Sequence, residues 1–222
     1  ATVGANDILD WVEEGAVSAV KDQGNCGSCW SFSTTGALEG EHFLTHSKME
    51  ILSEQQFIDC NKGLFLNHGC NGGLMDTAFE YAMSNYIVRE SEYPYETDDS
   101  GACRAEGKEK IFKIGGYKDV KARSEQALLE ALAVRPVSVA IQADSSVFQS
   151  YSSGVLDSAE CGTNLNHGVL AVGYGVENGT PYYKVKNSWG PKWGDKGYIK
   201  LARIGDGAGT CGIQMSASFP YA

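Results

Sequence analysis

Helical spacing of apolar positions dominates the first half of the chain, and runs rich in β-branched residues dominate the second. From Ser28 to about His42 the segment carries Ala37, Leu38, Glu39 and Glu41 and no proline, which predicts a helix starting at Cys29 with Ser28 as its N-cap. Gly36 and Gly40 share one face of that helix; glycines cost helix stability, so this pair predicts the close approach of another segment. Ser53-Glu-Gln-Gln56 reads as a capping box opening a short helix that runs to Cys60. Ala78, Phe79, Ala82, Met83 and Tyr86 mark an amphipathic helix over 75–85, and Leu128, Ala131 and Leu132 mark another over 124–134. Four segments, 137–141, 169–174, 182–186 and 198–202, read as antiparallel strands bounded by glycine or proline. A helical first half and a β second half predict an α+β fold of two lobes in one unit, with a cleft between them.

Composition narrows the function classes. The chain has 222 residues, 42% hydrophobic and 21% charged, which is ordinary for a globular protein, and no apolar run approaches the ~20 residues of a membrane helix. A formal net charge of −10 repels a phosphate backbone and argues against nucleic acid as a partner. The sequence pI near 4.8 means little self-repulsion in an acidic compartment. The N-terminal segment Ala1-Thr-Val-Gly-Ala5 has neither the basic stretch nor the apolar core of a secretory signal, so the chain reads as a processed product. Seven cysteines, at 26, 29, 60, 70, 103, 161 and 211, suit an oxidising compartment if three pairs form and one thiol stays free; counting alone leaves the pairing open.

The decisive segment is Gln23-Gly-Asn-Cys-Gly-Ser-Cys-Trp-Ser31. A thiol is nucleophilic only as the thiolate, and a cysteine in the first turn of a helix has unpaired amides and the helix dipole to favour that anion. A nearby imidazolium would complete the activation, and His167 stands between asparagine and glycine at the start of an apolar strand. With Gly69-Cys-Asn-Gly-Gly73, Asn166-His167-Gly168, Asn187-Ser-Trp-Gly190 and Cys211-Gly212, the sequence resembles the papain-like cysteine proteases, and within them the cathepsin L-like branch, over nearly its whole length.

The resemblance implies a single papain-like domain over 1–222. Its helical lobe would span about 10–110 and its antiparallel β-barrel-like lobe about 111–210, with the chain ends crossing over and the active site in the cleft. It implies Cys29 as nucleophile, His167 as its base, Asn187 orienting the imidazole through a neutral acceptor, and Gln23 donating to the oxyanion. Trp189, together with Trp193, would shield the His167–Asn187 bond. Gly27, Gly72 and Gly73 would lie along the substrate, although composition alone reads Gly72-Gly73 as a turn. Leu74, Met75, Ala140 and Leu165, with Ser216 at the base, would wall the pocket for the substrate residue second from the cut. None of these five is charged, so the expected preference there is Leu, Phe or Val. Asn166 stands where many relatives carry aspartate, which removes a carboxylate beside the expected ion pair. The disulfides implied are Cys26–Cys70, Cys60–Cys103 and Cys161–Cys211.

On the same resemblance the activity is endopeptidase, since no inserted loop with paired histidines is present to block the cleft. No cofactor or metal is expected. The expected partners are protein and peptide substrates, the chain's own propeptide and cystatin-like inhibitors, for a monomer in a lysosome or vacuole or outside the cell. Two readings compete: an inactive papain-fold binding homologue, and a thiol–disulfide oxidoreductase using Cys26 and Cys29. The second lacks the strand–helix alternation around its cysteine pair that such enzymes show. A zinc site lacks ligands, because His167 has no histidine near it in sequence. His42, His46 and His68 read as packing or surface residues, and the sequon Asn178-Gly-Thr180, followed by Pro181, as an ordinary turn.

Overall fold

The structure is a computed structural model describing residues 2–222; Ala1, part of the N-terminal segment read above, lies outside the described residues. In chain order the elements are β1 (Leu9–Asp10), α1 (Cys29–His46), α2 (Glu54–Cys60), α3 (Met75–Ser84), β2 (Gly116–Asp119), α4 (Glu125–Leu132), β3 (Val137–Ile141), α5 (Ser146–Gln149), β4 (Val155–Leu156), β5 (His167–Glu177), β6 (Thr180–Lys186), β7 (Tyr198–Ala202) and β8 (Ala217–Tyr221).

The helix α1 begins at Cys29 and runs four residues beyond the expected end, closing at Ser47 in the left-handed region. Its two glycines are the contact face. A Cβ at Gly36 would come within 2.9 Å of Leu170 on β5, and one at Gly40 within 2.8 Å of Pro136, so larger side chains would push the helix off the sheet. In α2 only half of the expected capping box forms. The Ser53 hydroxyl accepts from the Gln56 amide at 3.1 Å, but the Gln56 side chain turns away, donating to the Tyr86 carbonyl and accepting from the Val88 amide. That exchange ties α2 to the 86–88 segment, which explains why Tyr86 leaves the periodic pattern and falls outside α3.

The strands form one sheet ordered β2-β8-β3-β5-β6-β7-β4, with β1 pairing the far end of β5. The barrel-like closure expected from the resemblance is not present: the sheet is open. Its end strands β2 and β4 do not pair, and β4 is two residues long and joins β7 in parallel, so it offers no edge long enough to close on. The sequon sits in the β5–β6 hairpin, where Asn178 and Gly179 both take positive φ between the paired Glu177 and Thr180.

The strand β5 explains the two-part architecture. Its run Val169-Leu-Ala-Val172 is apolar at every position because both faces are covered. Val169 and Ala171 enter a core with Val139, Tyr183, Val185, Ile199 and Leu201, while Leu170 and Val172 enter a second core with Trp30, Leu38, Phe57 and Phe79. Both chain ends join the sheet side: Val3 packs in the first core and β8 pairs β2 and β3. Disulfides join Cys26 to Cys70, Cys60 to Cys103 and Cys161 to Cys211.

Candidate active site

Cys29 is the free cysteine among the described residues, half-buried at the first position of α1. Ser28 stands at the N-cap position but does not cap the helix. Its hydroxyl pairs with the Tyr95 hydroxyl at 2.8 Å, so it caps none of the first-turn amides. The amides of Cys29 and Trp30 point at the sulfur, and the Gly168 amide donates to Sγ from β5 at 3.3 Å. Burial pushes the Cys29 thiol up, and these three N–H groups pull it back toward the anion. Cys26, bonded to Cys70, has no thiol to offer Cys29, so the oxidoreductase reading has no redox pair.

His167 opens β5, opposite Ile141, and is buried. Its Nε2 lies 2.7 Å from Asn187 Oδ1, which also accepts from the Ser188 amide at 2.8 Å. An oxygen serving two donors fixes the proton on Nε2 and leaves Nδ1 as the ring nitrogen available for chemistry. Burial pushes the His167 imidazolium down, and the Asn187 acceptor works against that. Each charge taken alone is disfavoured by burial. The Trp189 ring lies 5.0 Å from the imidazole and meets Trp193 edge-on at 5.3 Å, so aromatic surface lies against the His167 ring.

Gln23 is fixed on both ends of its amide: Oε1 accepts from the Ser188 hydroxyl at 2.7 Å, and Nε2 donates to the Cys26 carbonyl at 3.0 Å. Nε2 keeps a second hydrogen. Its backbone amide bonds the Ser188 carbonyl, joining it to the segment that follows β6.

A cavity of about 350 Å³ opens beside Cys29 and His167, with Gly72, Gly73, Leu74, Met75, Ala140 and Leu165 around it. Asn166 and Ser216 complete the set expected from the sequence. Gly27 stands just outside, its amide bonded to the Cys70 carbonyl at 2.8 Å; a Cβ there would sit 2.3 Å from that oxygen. Asn166 turns its Oδ1 to the Ala143 amide.

One expectation fails. The pocket is not free of charge, because Asp76 lines it together with Ser218. Met75 and Asp76 are neighbours in α3, and Ser218 comes from β8, a strand that the periodicity did not reveal. Gly168 and Ser188 were missed as well. Both are neighbours in sequence of residues already singled out, and only the fold shows that a main-chain amide and a hydroxyl do the positioning.

A sequence model described as papain family cysteine protease matches residues 5–221. The chain is 52% identical over 216 residues to the probable cysteine protease RD21B of Arabidopsis thaliana, covering 96% of this chain and 46% of that protein. It spans about half the length of that relative. Among solved structures it is similar to the bromelain protease of Ananas comosus in complex with the E64 inhibitor, with a TM-score of 0.91, 39% identity and 99% of both chains covered. The Amb a 11 cysteine protease, a ragweed pollen allergen solved in its proform, gives a TM-score of 0.93 and 43% identity, covering 99% of this chain and 67% of that one. With a family match over residues 5–221, this chain belongs to the papain family of cysteine proteases.

Proposed function

We propose that the protein is a cysteine endopeptidase in which Cys29 is the nucleophile and His167 its partner. The observation that carries this reading is the free Cys29 sulfur, held by the Gly168 amide at an uncapped helix start, in the cavity that His167 also lines. The thiolate attacks a peptide carbonyl carbon, and the carbonyl π electrons move onto oxygen. The Cys29 amide and the second Gln23 Nε2 hydrogen stabilise that oxyanion. His167 gives its proton to the leaving amine as the C–N bond breaks, leaving a thioester on Cys29; water, deprotonated by His167, then releases the acid and restores the thiolate. The test is stoichiometric labelling with a thiol-directed epoxide, followed by peptide mapping. The label is expected on Cys29 with loss of activity; full activity in the labelled protein would remove Cys29 from the chemistry.

Two further outcomes follow from the geometry. Gln23→Ala is expected to lower kcat by roughly a hundredfold, the cost of one oxyanion donor, with the unfolding midpoint close to wild type. Near-normal kcat would remove Gln23 from the mechanism. Asn187→Ala removes the contact that raises His167, so the imidazolium loses its proton at lower pH. Activity that needs the imidazolium ends there, and the basic limb of kcat/KM moves toward acid. An unmoved limb would mean that Asn187 does not hold the proton in place.

The same reading assigns the cavity beside Cys29 to the substrate residue second from the cut, with Leu, Phe or Val favoured by its apolar walls. A monomer inhibited by its own propeptide and by cystatin-like proteins, in a lysosome or vacuole or outside the cell, completes the proposal; three disulfides support an oxidising compartment. No helix among the described residues is long and apolar enough to cross a membrane.

A further inference from the structure

The oxyanion donor is held from a part of the chain that no motif marks. Gln23 is buried, and three of its polar groups are taken close by: Oε1 by the Ser188 hydroxyl, Nε2 by the Cys26 carbonyl and the backbone amide by the Ser188 carbonyl. The fourth is its main-chain carbonyl, and the Tyr95 hydroxyl, 72 residues along the chain, donates to it. A carbonyl can only accept, so the Tyr95 hydrogen is committed to Gln23, and the Ser28 hydroxyl, 2.8 Å away, is the donor to the Tyr95 oxygen. Tyr95 thus stands between the residue that carries the oxyanion donor and the residue that precedes the nucleophile. Its own place is fixed independently of both. The Tyr95 amide donates to Glu90 Oε1 at 2.8 Å, and its ring meets that of Phe32, one turn along α1 from Cys29, edge-on at 4.9 Å. Burial pushes the Tyr95 hydroxyl up, so it keeps its hydrogen and stays a donor through neutral pH. The turn after Gln23 leans on the same segment: Gly24 has a φ of 60°, and a Cβ there would lie 2.8 Å from Thr97 Cγ2.

We infer that Tyr95 is a positioning residue for the oxyanion hole, its hydroxyl fixing the Gln23 main chain and, through it, the direction in which Nε2 offers its second hydrogen. This rests on the reading of Gln23 as an oxyanion donor. A preorganised donor stabilises developing charge because it does not reorient as that charge forms, so a donor free to tilt is worth less in the transition state than one held still. The ground-state carbonyl draws little on that donor. Loss of the Tyr95 hydroxyl therefore lowers kcat and spares KM.

The test compares wild type, Tyr95→Phe, Gln23→Ala and the double variant by three readouts: kcat and KM on one peptide substrate, inhibition by a peptide aldehyde, and the rate of Cys29 alkylation by iodoacetamide. With the aldehyde, the Cys29 sulfur bonds to the carbonyl carbon, the π pair moves onto oxygen and the His167 proton follows it, so that oxygen takes the place of the substrate oxyanion. With iodoacetamide, the sulfur bonds to the methylene carbon, iodide leaves, and no oxyanion forms. Tyr95→Phe is expected to lower kcat and aldehyde affinity each roughly tenfold, the size of one buried hydrogen bond, with KM and the alkylation rate within about twofold of wild type. In the Gln23→Ala background the same substitution is expected to add nothing, which a merely structural role would not produce. Unchanged kcat and aldehyde affinity in Tyr95→Phe, an equal loss with and without the Gln23 side chain, or a comparable fall in alkylation overturns the inference. Gln23→Ala separates the two failures. If it weakens the aldehyde and Tyr95→Phe does not, the donor reading stands and Tyr95 alone is wrong, whereas an aldehyde unaffected by Gln23→Ala removes the donor reading and the inference with it.

Discussion

Cys29→Ser is expected to lower kcat/KM on peptide substrates by roughly ten-thousand-fold or more while shifting the unfolding free energy by no more than about 1 kcal/mol. The sulfur is the one thiol among the described residues outside a disulfide, and its surroundings are arranged for an anion: the amides of Gly168, Trp30 and Cys29 itself face it. A serine oxygen in that place does not ionise at any pH where the fold is intact, because a hydroxyl lies far above a thiol in acidity and burial raises it further. The surrounding packing changes little, since oxygen is smaller than sulfur and the residue is half-buried. Retention of more than about a hundredth of wild-type activity, measured with fresh Cys29→Ser protein, would place the nucleophile elsewhere.

The largest stability effect is expected at a residue far from any motif. Lys21 Nζ lies 2.9 Å from Glu39 Oε2 and 2.6 Å from Glu54 Oε2, and both carboxylates are buried on α1 and α2. The Ser18 hydroxyl joins the group, donating to Glu39 at 2.6 Å and accepting from Lys186 Nζ at 3.0 Å. Lys186 ends β6 and immediately precedes Asn187, so this ionic cluster anchors the chain next to the proposed catalytic asparagine. Lys21→Met removes the cation that holds the buried Glu39 ionised and takes a hydrogen-bond donor from Glu54, which costs about 3–5 kcal/mol. Urea unfolding at neutral pH measures it. A loss below about 1 kcal/mol would mean that Lys186 and the local hydroxyls satisfy the acids by themselves.

The same cluster has a pH signature. Burial pushes the Glu54 carboxyl up to about 8 against the pull of Lys21, while Glu39, although burial opposes it, is held low by Lys21 and Lys186. A carboxyl whose folded-state value is raised binds its proton more tightly in the folded chain. The Glu54 contribution to stability is therefore fully present below its unfolded value near 4.5 and is lost as pH rises through about 8. The Lys21→Met penalty shrinks in acid through Glu39, which without Lys21 is no longer held as low and takes up a proton there.

The legible parts of the fold were those in which one local pattern has one outcome. The start of α1 at Cys29, the Ser53 cap of α2, the central strands and the close contacts at Gly36 and Gly40 follow from capping chemistry, alternation and glycine spacing. The open sheet did not show, because β1 and β4 are two-residue strands and β2 and β8 pair across more than ninety residues of chain. The helix α1 is also apolar and polar around its whole circumference. It buries Glu39 and Glu41 beside Leu38 and Trp30, which no amphipathic pattern anticipates. At the cleft, Gln23, Cys29, His167 and Asn187 are marked by their motifs, whereas Asp76 is an ordinary helix-start acid until the fold places it in the cavity lining with Ser218 of β8.

The central claim is that Cys29 is an anion at neutral pH because His167 is its counter-ion. The direct measurement is the alkylation rate of Cys29 by iodoacetamide as a function of pH, in wild type and in His167→Ala. The account predicts a thiolate plateau in wild type that begins well below the ordinary thiol value near 8.5, and its displacement to alkaline pH in the variant. Wild-type alkylation that rises only near 8.5, or a profile unchanged by His167→Ala, would contradict it.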